Sequence, residues 1–147
     1  MRMWCNIGLC LALCCLGCRK DEVMSSTPEI ALVDLSPTLV AAFGDPVHLK
    51  LSYKDGNGDL GTEDPDDRTL EIKDSRLSAP DTYHVQPLAP LDSEVPIQGE
   101  LDVQLDPLFL IGNGDQESVT FSIRIRDREG NWSNTVVSPT VIIVDSL

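Results

Sequence analysis

The chain has 147 residues and carries 24 acidic against 11 basic side chains, so its formal charge at pH 7 is −13. Binding nucleic acid requires a basic surface, and a chain of this sign repels phosphates, so we expect no nucleic-acid partner. From position 27 onward about 120 residues remain, which is enough for one domain with one hydrophobic core.

The first 17 residues have the layout of a signal peptide. Arg2 supplies one positive charge, and residues 7–17 form an uncharged apolar run. As a helix, about eleven residues span about 16 Å, far short of a hydrocarbon core of about 30 Å, so this run cannot remain as a transmembrane span. We predict that residues 1–17 are removed, and the formal charge then becomes −14 because Arg2 is the only charged residue lost.

The cysteines mark the start of the mature chain. All five lie at or before Cys18, so none remains in residues 19–147 to form a disulfide. The sequence Leu16-Gly17-Cys18 resembles the lipobox of bacterial lipoproteins, although Cys15 stands where that box usually has leucine. The resemblance implies a diacylglyceryl lipid on Cys18 and a membrane anchor, with residues 18–28 as lipidated cysteine and flexible tether. The other four cysteines are expected to serve only as small apolar side chains in the signal helix.

A short motif follows the predicted lipidation site. Lys20-Asp21-Glu22 resembles the export signal that sends lipoproteins of the Bacteroidota to the outer face of the outer membrane. The resemblance implies a surface-exposed protein anchored in the outer membrane. The alternative is an outer-membrane lipoprotein that faces inward.

The strands of the mature chain are predicted from alternation of apolar and polar side chains, because successive residues of a strand point to opposite faces. Three runs alternate regularly, at residues 47–54, 97–105 and 119–126. Shorter strands are expected at residues 30–35, 39–42, 70–73, 82–86 and 136–144. No stretch has helical spacing, and turns rich in Gly, Asp and Asn separate the runs. This pattern predicts an all-β fold over residues 29–147, an antiparallel β-sandwich of about seven strands, immunoglobulin-like or fibronectin-III-like.

The end of the chain predicts a hairpin. Two strands flank residues 127–134. Pro139 is expected at a bulge or an edge, where its missing N–H costs the sheet no hydrogen bond. Because the domain has no cysteine pair, an antibody-type domain is excluded.

The loop at residues 55–61, Asp-Gly-Asn-Gly-Asp-Leu-Gly, is the strongest candidate for a metal site. Oxygen ligands on alternate residues suit a hard cation such as Ca²⁺. Counted from the first aspartate, the ligand positions 1, 3, 5, 9 and 12 of an EF-hand loop fall on Asp55, Asn57, Asp59, Glu63 and Asp66. An EF-hand is rejected because Leu60 replaces the required glycine and no helices flank the loop. The alternatives are another kind of calcium loop, or a polar turn whose aspartates bond their own backbone.

Fold geometry adds a sixth candidate ligand. In a sandwich of this type the loops after residues 47–54 and 119–126 emerge at the same end, which brings Asp127 towards the acidic loop. The first strand also begins there, so the site is expected near the tether. The crowded carboxylates repel one another, and a bound cation relieves this repulsion. We therefore predict a Ca²⁺ site formed by Asp55, Asn57, Asp59, Glu63, Asp66 and Asp127.

The acidic loop after a strand, together with the hairpin sequence Arg-Asp-Arg-Glu-Gly-Asn-Trp-Ser-Asn, is similar to small lipoproteins of the Bacteroidota with an Ig-like domain. The resemblance implies a lipid-anchored surface protein and carries no established activity. We expect a non-catalytic module that binds a protein or glycan, or takes part in assembly, with calcium as a brace. The alternatives are a small surface hydrolase, or a purely structural subunit of an outer-membrane complex. His48 and His84 offer no parts for a catalytic triad or a zinc site, and Trp132 is expected to pack rather than to stack on sugar.

Overall fold

A computed structural model describes residues 23–147. The predicted signal peptide, Cys18 and the Lys20-Asp21-Glu22 motif lie outside these residues. Within residues 23–147 every regular element is a β-strand and there is no helix. Accordingly, no helix in this part of the chain has the length and apolarity of a membrane span.

Ten strands follow one another within residues 23–147. They are β1 (Glu29–Ser36), β2 (Leu39–Ala41), β3 (His48–Asp55), β4 (Leu70–Asp74), β5 (Asp81–Tyr83), β6 (Ile97–Gln104), β7 (Gln116–Val119), β8 (Phe121–Ile125), β9 (Val136–Val137) and β10 (Val141–Val144). All eight predicted strands are present. The number is ten rather than about seven for two further reasons. The predicted strand at residues 136–144 is divided into β9 and β10, and β7 lies before the predicted run 119–126, with which it shares only Val119.

Short breaks separate β7 from β8 and β9 from β10. Thr120 separates β7 from β8, and residues 138–140 separate β9 from β10, with Pro139 in the break as predicted. Ser138 closes this break: its backbone N–H donates to the carbonyl of Phe121 at 2.9 Å, and its Oγ accepts from the backbone N–H of Phe121 at 2.9 Å. The ladder therefore continues past a proline that cannot donate.

The strands form three hydrogen-bonded sets, in the orders β1-β3-β6, β2-β10-β7 and β5-β4-β8-β9. Every pairing is antiparallel except that of β2 with β10, which is parallel. The second and third sets are connected along the chain at two places, since β7 leads directly into β8 and β9 leads into β10. They therefore form one continuous layer.

Side chains from all three sets meet in a single hydrophobic core. Its fully buried members include Leu51 of β3, Ile72 of β4, Ile123 of β8 and Ile143 of β10. Burying each such side chain contributes about 1.5–3 kcal/mol, and the alternation in the sequence directs these residues inward. The fold is thus a β-sandwich-like all-β domain over one core, as the sequence predicted.

The register assigns the loops to two ends of the domain. Glu29, at the start of β1, pairs with Lys54 near the end of β3, and Leu60 bridges to Asp127 just after β8. We call this the tether-proximal end; it comprises residues 23–28, 55–62 and 126–134. The opposite, tether-distal end comprises residues 42–47 and 105–115, which meet where the backbone N–H of Phe43 donates to the carbonyl of Leu108 at 2.7 Å.

Candidate functional site

The acidic loop is curled by glycines at the tether-proximal end. Gly58 and Gly61 have φ angles of 71° and 81°, a region that side chains other than glycine rarely adopt. A side chain at either position would also run into a backbone carbonyl, that of Val95 or of Gln86. The loop therefore keeps this shape only with glycine at both positions, as expected for a turn.

Three aspartates of this end are buried. Asp55 is 0%, Asp127 1% and Asp59 8% exposed. The carboxylate of Asp55 accepts the backbone N–H of Asp59 at 2.8 Å, and that of Asp127 accepts the backbone and amide N–H groups of Asn131 at 2.7 and 2.9 Å. Oδ2 of Asp59 has no hydrogen-bond partner within residues 23–147. A buried carboxylate oxygen without a partner is costly unless a cation or a donor reaches it.

The side-chain amide of Asn57 lies at the centre of these oxygens. One of its terminal atoms faces Oδ1 of Asp55 at 2.9 Å, Oδ1 of Asp59 at 3.0 Å and the carbonyl oxygen of Ser26 at 3.3 Å. If that atom is Nδ2, its two hydrogens serve three acceptors. If it is Oδ1, four oxygens meet and only a cation can hold them together. Both orientations identify one point where acceptors from three separate positions converge.

The environment disfavours the charge of Asp55. Burial is the largest cause and raises the pKa of this carboxyl, and the negative charges of Asp59 and Asp127 raise it further. The hydrogen bond from the backbone N–H of Asp59 acts in the opposite direction without cancelling these effects. The ionised group is therefore held in a place that favours a neighbouring positive charge.

Basic side chains do not neutralise the cluster. Within residues 23–147 no ion pair involves Asp55, Asp59 or Asp127. Arg128 instead donates to the carbonyl oxygens of Gly61 at 2.9 Å and Gly58 at 3.4 Å. It fixes the backbone of the loop and leaves the carboxylates unpaired.

The structure brings together four of the six predicted metal ligands, namely Asp55, Asn57, Asp59 and Asp127. Glu63 and Asp66 lie outside this cluster on the exposed segment that follows, where the backbone N–H of Asp66 donates to Asp64 at 2.9 Å. No three Asp, Glu, His or Cys side chains of the described chain converge as a metal centre by themselves. The acceptors that face Asn57 are mixed instead, with two carboxylates and a backbone carbonyl, and Ca²⁺ accepts oxygen ligands of both kinds.

At the tether-distal end two aromatic rings form a surface that the sequence analysis did not identify. Phe43 is 78% and Phe109 42% exposed, and their rings stack with centroids 5.9 Å apart. Phe43 has a φ of 56°, which is unusual for a bulky residue. The guanidinium of Arg76 donates to the carbonyl of Phe109 at 2.8 Å and to Glu117, whose carboxylate also accepts backbone N–H groups of this loop.

The remaining candidates have structural partners. His84 Nε2 lies 2.8 Å from the carbonyl oxygen of Thr62, and His48 is exposed on β3. Trp132 is half-buried beneath the guanidinium of Arg124, 4.1 Å from the ring centroid. No protein-family model, curated protein or solved structure matches the chain.

Proposed function

We propose that the protein is a lipid-anchored, non-catalytic module of the outer-membrane surface, which binds or assembles with a protein or glycan at its tether-distal end. Calcium braces the tether-proximal end. The observation that carries this proposal is the position of the two ends. The chain enters beside the acidic loop, while the exposed Phe43–Phe109 pair lies at the far end of the sandwich.

The length of the tether limits where the domain sits. Val23 is five positions after Cys18, and an extended chain spans at most about 3.6 Å per residue, or about 18 Å in all. The backbone N–H of Gly56 donates to the carbonyl oxygen of Ser25, so the chain is already held on the domain two residues after Val23. A lipid on Cys18 therefore keeps the acidic loop close to the membrane and directs the aromatic pair away from it.

The strand order supports an immunoglobulin-like arrangement. If β1, β3 and β6 are strands A, B and E, and β4, β8 and β9 are C, F and G, then the orders β1-β3-β6 and β4-β8-β9 agree with that fold. The Ig-like fold serves many functions, so the functional proposal rests on the two ends and not on the strand order.

The tether-distal surface suits a binding partner. Exposed aromatic side chains are enriched in the energetically important parts of interfaces, and large exposed apolar groups are otherwise unfavourable. Ile111 of the same tether-distal end is also exposed, to 49%. The hydrogen bonds from Arg76 hold this loop in place, so the rings are presented without a large ordering cost.

Cysteine labelling tests the anchoring and the orientation. Residues 19–147 contain no cysteine, so Asp45→Cys in the tether-distal turn introduces a single reactive thiol. We expect a membrane-impermeant maleimide to label it on intact cells. Labelling only after the outer membrane is permeabilised would contradict surface exposure. The variant Cys18→Ala should leave the membrane fraction, and its continued sedimentation with membranes would contradict lipid anchoring.

Site-specific photocrosslinking tests binding at the tether-distal end. A photoreactive phenylalanine in place of Phe43 should give a discrete adduct on cells, and the adduct should disappear with Phe109→Ser. Val137, which is 61% exposed on β9, is the control position and should give no such adduct. Identical products from both positions would contradict a specific site at the aromatic pair.

A further inference from the structure

The tether is in contact with the acidic loop before it enters β1. The backbone N–H of Gly56 donates to the carbonyl oxygen of Ser25 at 2.7 Å. A Cβ on Gly56 would lie 2.5 Å from the carbonyl oxygen of Met24 and 2.6 Å from that of Ser25. The loop therefore has glycine where the tether crosses it, and the crossing places the next carbonyl, that of Ser26, 3.3 Å from the Asn57 amide.

The point where these oxygens meet has the dimensions of a calcium site. Ligands 2.3–2.6 Å from a Ca²⁺ ion are about 3 Å from their neighbours. With the amide oxygen of Asn57 facing the cluster, its distances to the other three oxygens, 2.9, 3.0 and 3.3 Å, match that spacing. A second observation points to the same ion: Asp59 is 8% exposed, and its Oδ2 has no partner within residues 23–147. Carboxylate, amide and carbonyl ligands on a curled loop favour Ca²⁺ over Mg²⁺, which requires a stricter octahedron.

We propose that one Ca²⁺ ion binds Asp55, Asn57, Asp59 and the backbone carbonyl of Ser26, and that it thereby fastens the tether to the domain. This inference rests on the proposed anchoring at Cys18, because only an anchored tether transmits the effect to the membrane. With the ion bound, the segment before β1 is held against the acidic loop, which restricts how the sandwich turns above the membrane. Without the ion, the segment before β1 loses one of its attachments and the domain pivots more freely.

Thermodynamic linkage makes the proposal testable in two directions. If Ca²⁺ strengthens docking of the tether by a given factor, docking of the tether must strengthen Ca²⁺ binding by the same factor. A variant that displaces the tether and keeps every acidic side chain should therefore bind Ca²⁺ more weakly. Gly56→Ala is that variant, because its Cβ would lie 2.5 and 2.6 Å from two tether carbonyl oxygens while all the acidic side chains stay in the sequence.

Calorimetry with CaCl₂ on the full mature lipoprotein in detergent micelles measures the first direction. We expect Gly56→Ala to lower the affinity at least about tenfold, the lower range for displacing groups that hold a metal site. Gly114→Ala is the matched control: its Cβ has no contact closer than 3.8 Å, and it should bind like the wild type. If Gly56→Ala and the wild type bind Ca²⁺ with equal affinity, the proposal that the ion fastens the tether is overturned, whereas the metal site itself is not contradicted. If the wild type binds no Ca²⁺, the calcium brace of the proposed function is overturned as well.

Hydrogen exchange of the wild type measures the second direction and does not depend on how any variant folds. The N–H of Gly56, bonded to Ser25, reports directly on the docked tether. We expect its exchange to slow at least about tenfold when Ca²⁺ replaces EDTA, by the same linkage. MgCl₂ at the same concentration should have a smaller effect. Unchanged exchange in a chain that binds Ca²⁺ would overturn the inference, whatever Gly56→Ala shows.

Discussion

Replacing Asp59 by asparagine removes one charge from the buried cluster and keeps its shape. Oδ1 of Asp55 and Oδ1 of Asp59 lie within about 6 Å of each other, because both are within 3.0 Å of the same Asn57 atom. Two like charges at that distance repel by about 3 kcal/mol at an effective dielectric constant of about 20, and by under about 1 kcal/mol in bulk water. Burial of both groups favours the larger value.

We therefore expect opposite effects of Asp59→Asn in the two conditions. In EDTA the variant should be more stable than the wild type by about 1–3 kcal/mol, because the repulsion is relieved. In Ca²⁺ at about a thousandfold excess over the dissociation constant it should be less stable. A charged ligand is lost, and the wild type gains about 4.1 kcal/mol, which exceeds the relieved repulsion. Urea denaturation of the purified mature chain in each buffer measures both differences.

The control removes a charge from the same stretch of sequence but outside the cluster. Asp66 is exposed, so Asp66→Asn should change stability by less than about 0.5 kcal/mol in either buffer. If Asp59→Asn is less stable than the wild type in EDTA as well as in Ca²⁺, the carboxylate has a structural role and the repulsion argument is refuted. If Asp66→Asn shows the crossover instead, the ligands follow the EF-hand-like spacing and not the structure.

Three further predictions concern the rest of the domain. Backbone N–H groups of the tether-distal loop lower the pKa of Glu117, so its contribution to stability is fully present above the ordinary value of 4.5 and is lost as the pH falls through the lowered value. Acid titration followed by near-ultraviolet dichroism should show this loss, and a Glu117→Gln variant with an unchanged profile would contradict it. Ile123→Ala should cost about 2–5 kcal/mol in urea denaturation because the side chain is fully buried, whereas Val137→Ala on the surface should cost under about 0.5 kcal/mol. Asn134→Ala removes two hydrogen bonds to the backbone of Ile30, at 2.8 and 2.9 Å, and should cost about 1–3 kcal/mol in the same assay; a neutral result would show that solvent replaces the amide.

The strands were predictable because they depend on local pattern. Alternation along each run decides which face of a strand is apolar, and burial in one core selects that face whatever the remaining topology is. The break at Pro139 follows from its missing N–H, which is also a local property. The convergence of the acidic loop and Asp127 at one end was predictable for a similar reason, since it follows from strand direction in a sandwich.

The membership of the candidate site depended on tertiary structure. Counting along the loop assigned Glu63 and Asp66 as ligands, but the chain leaves the cluster before reaching them. The backbone N–H of Thr62 donates to the carbonyl of Val85 at 2.9 Å, and Gly61 packs against Gln86, so the segment is drawn towards residues 85–88. Spacing in the sequence cannot reveal a pairing with a partner more than twenty residues away.

Two features had no signal in the sequence at all. The carbonyl of Ser26 is a backbone atom, so any residue could supply it, and only the crossing of the tether over Gly56 places it beside Asn57. The pairing of Phe43 with Phe109 likewise joins two turns far apart in the chain. The sequence by itself determined most of the strands and the acidic loop, because these depend on neighbouring residues, and the lipid anchor stays a prediction from the same kind of local pattern. The tertiary structure decided which oxygens converge and which side chains remain exposed, because these depend on contacts between distant segments.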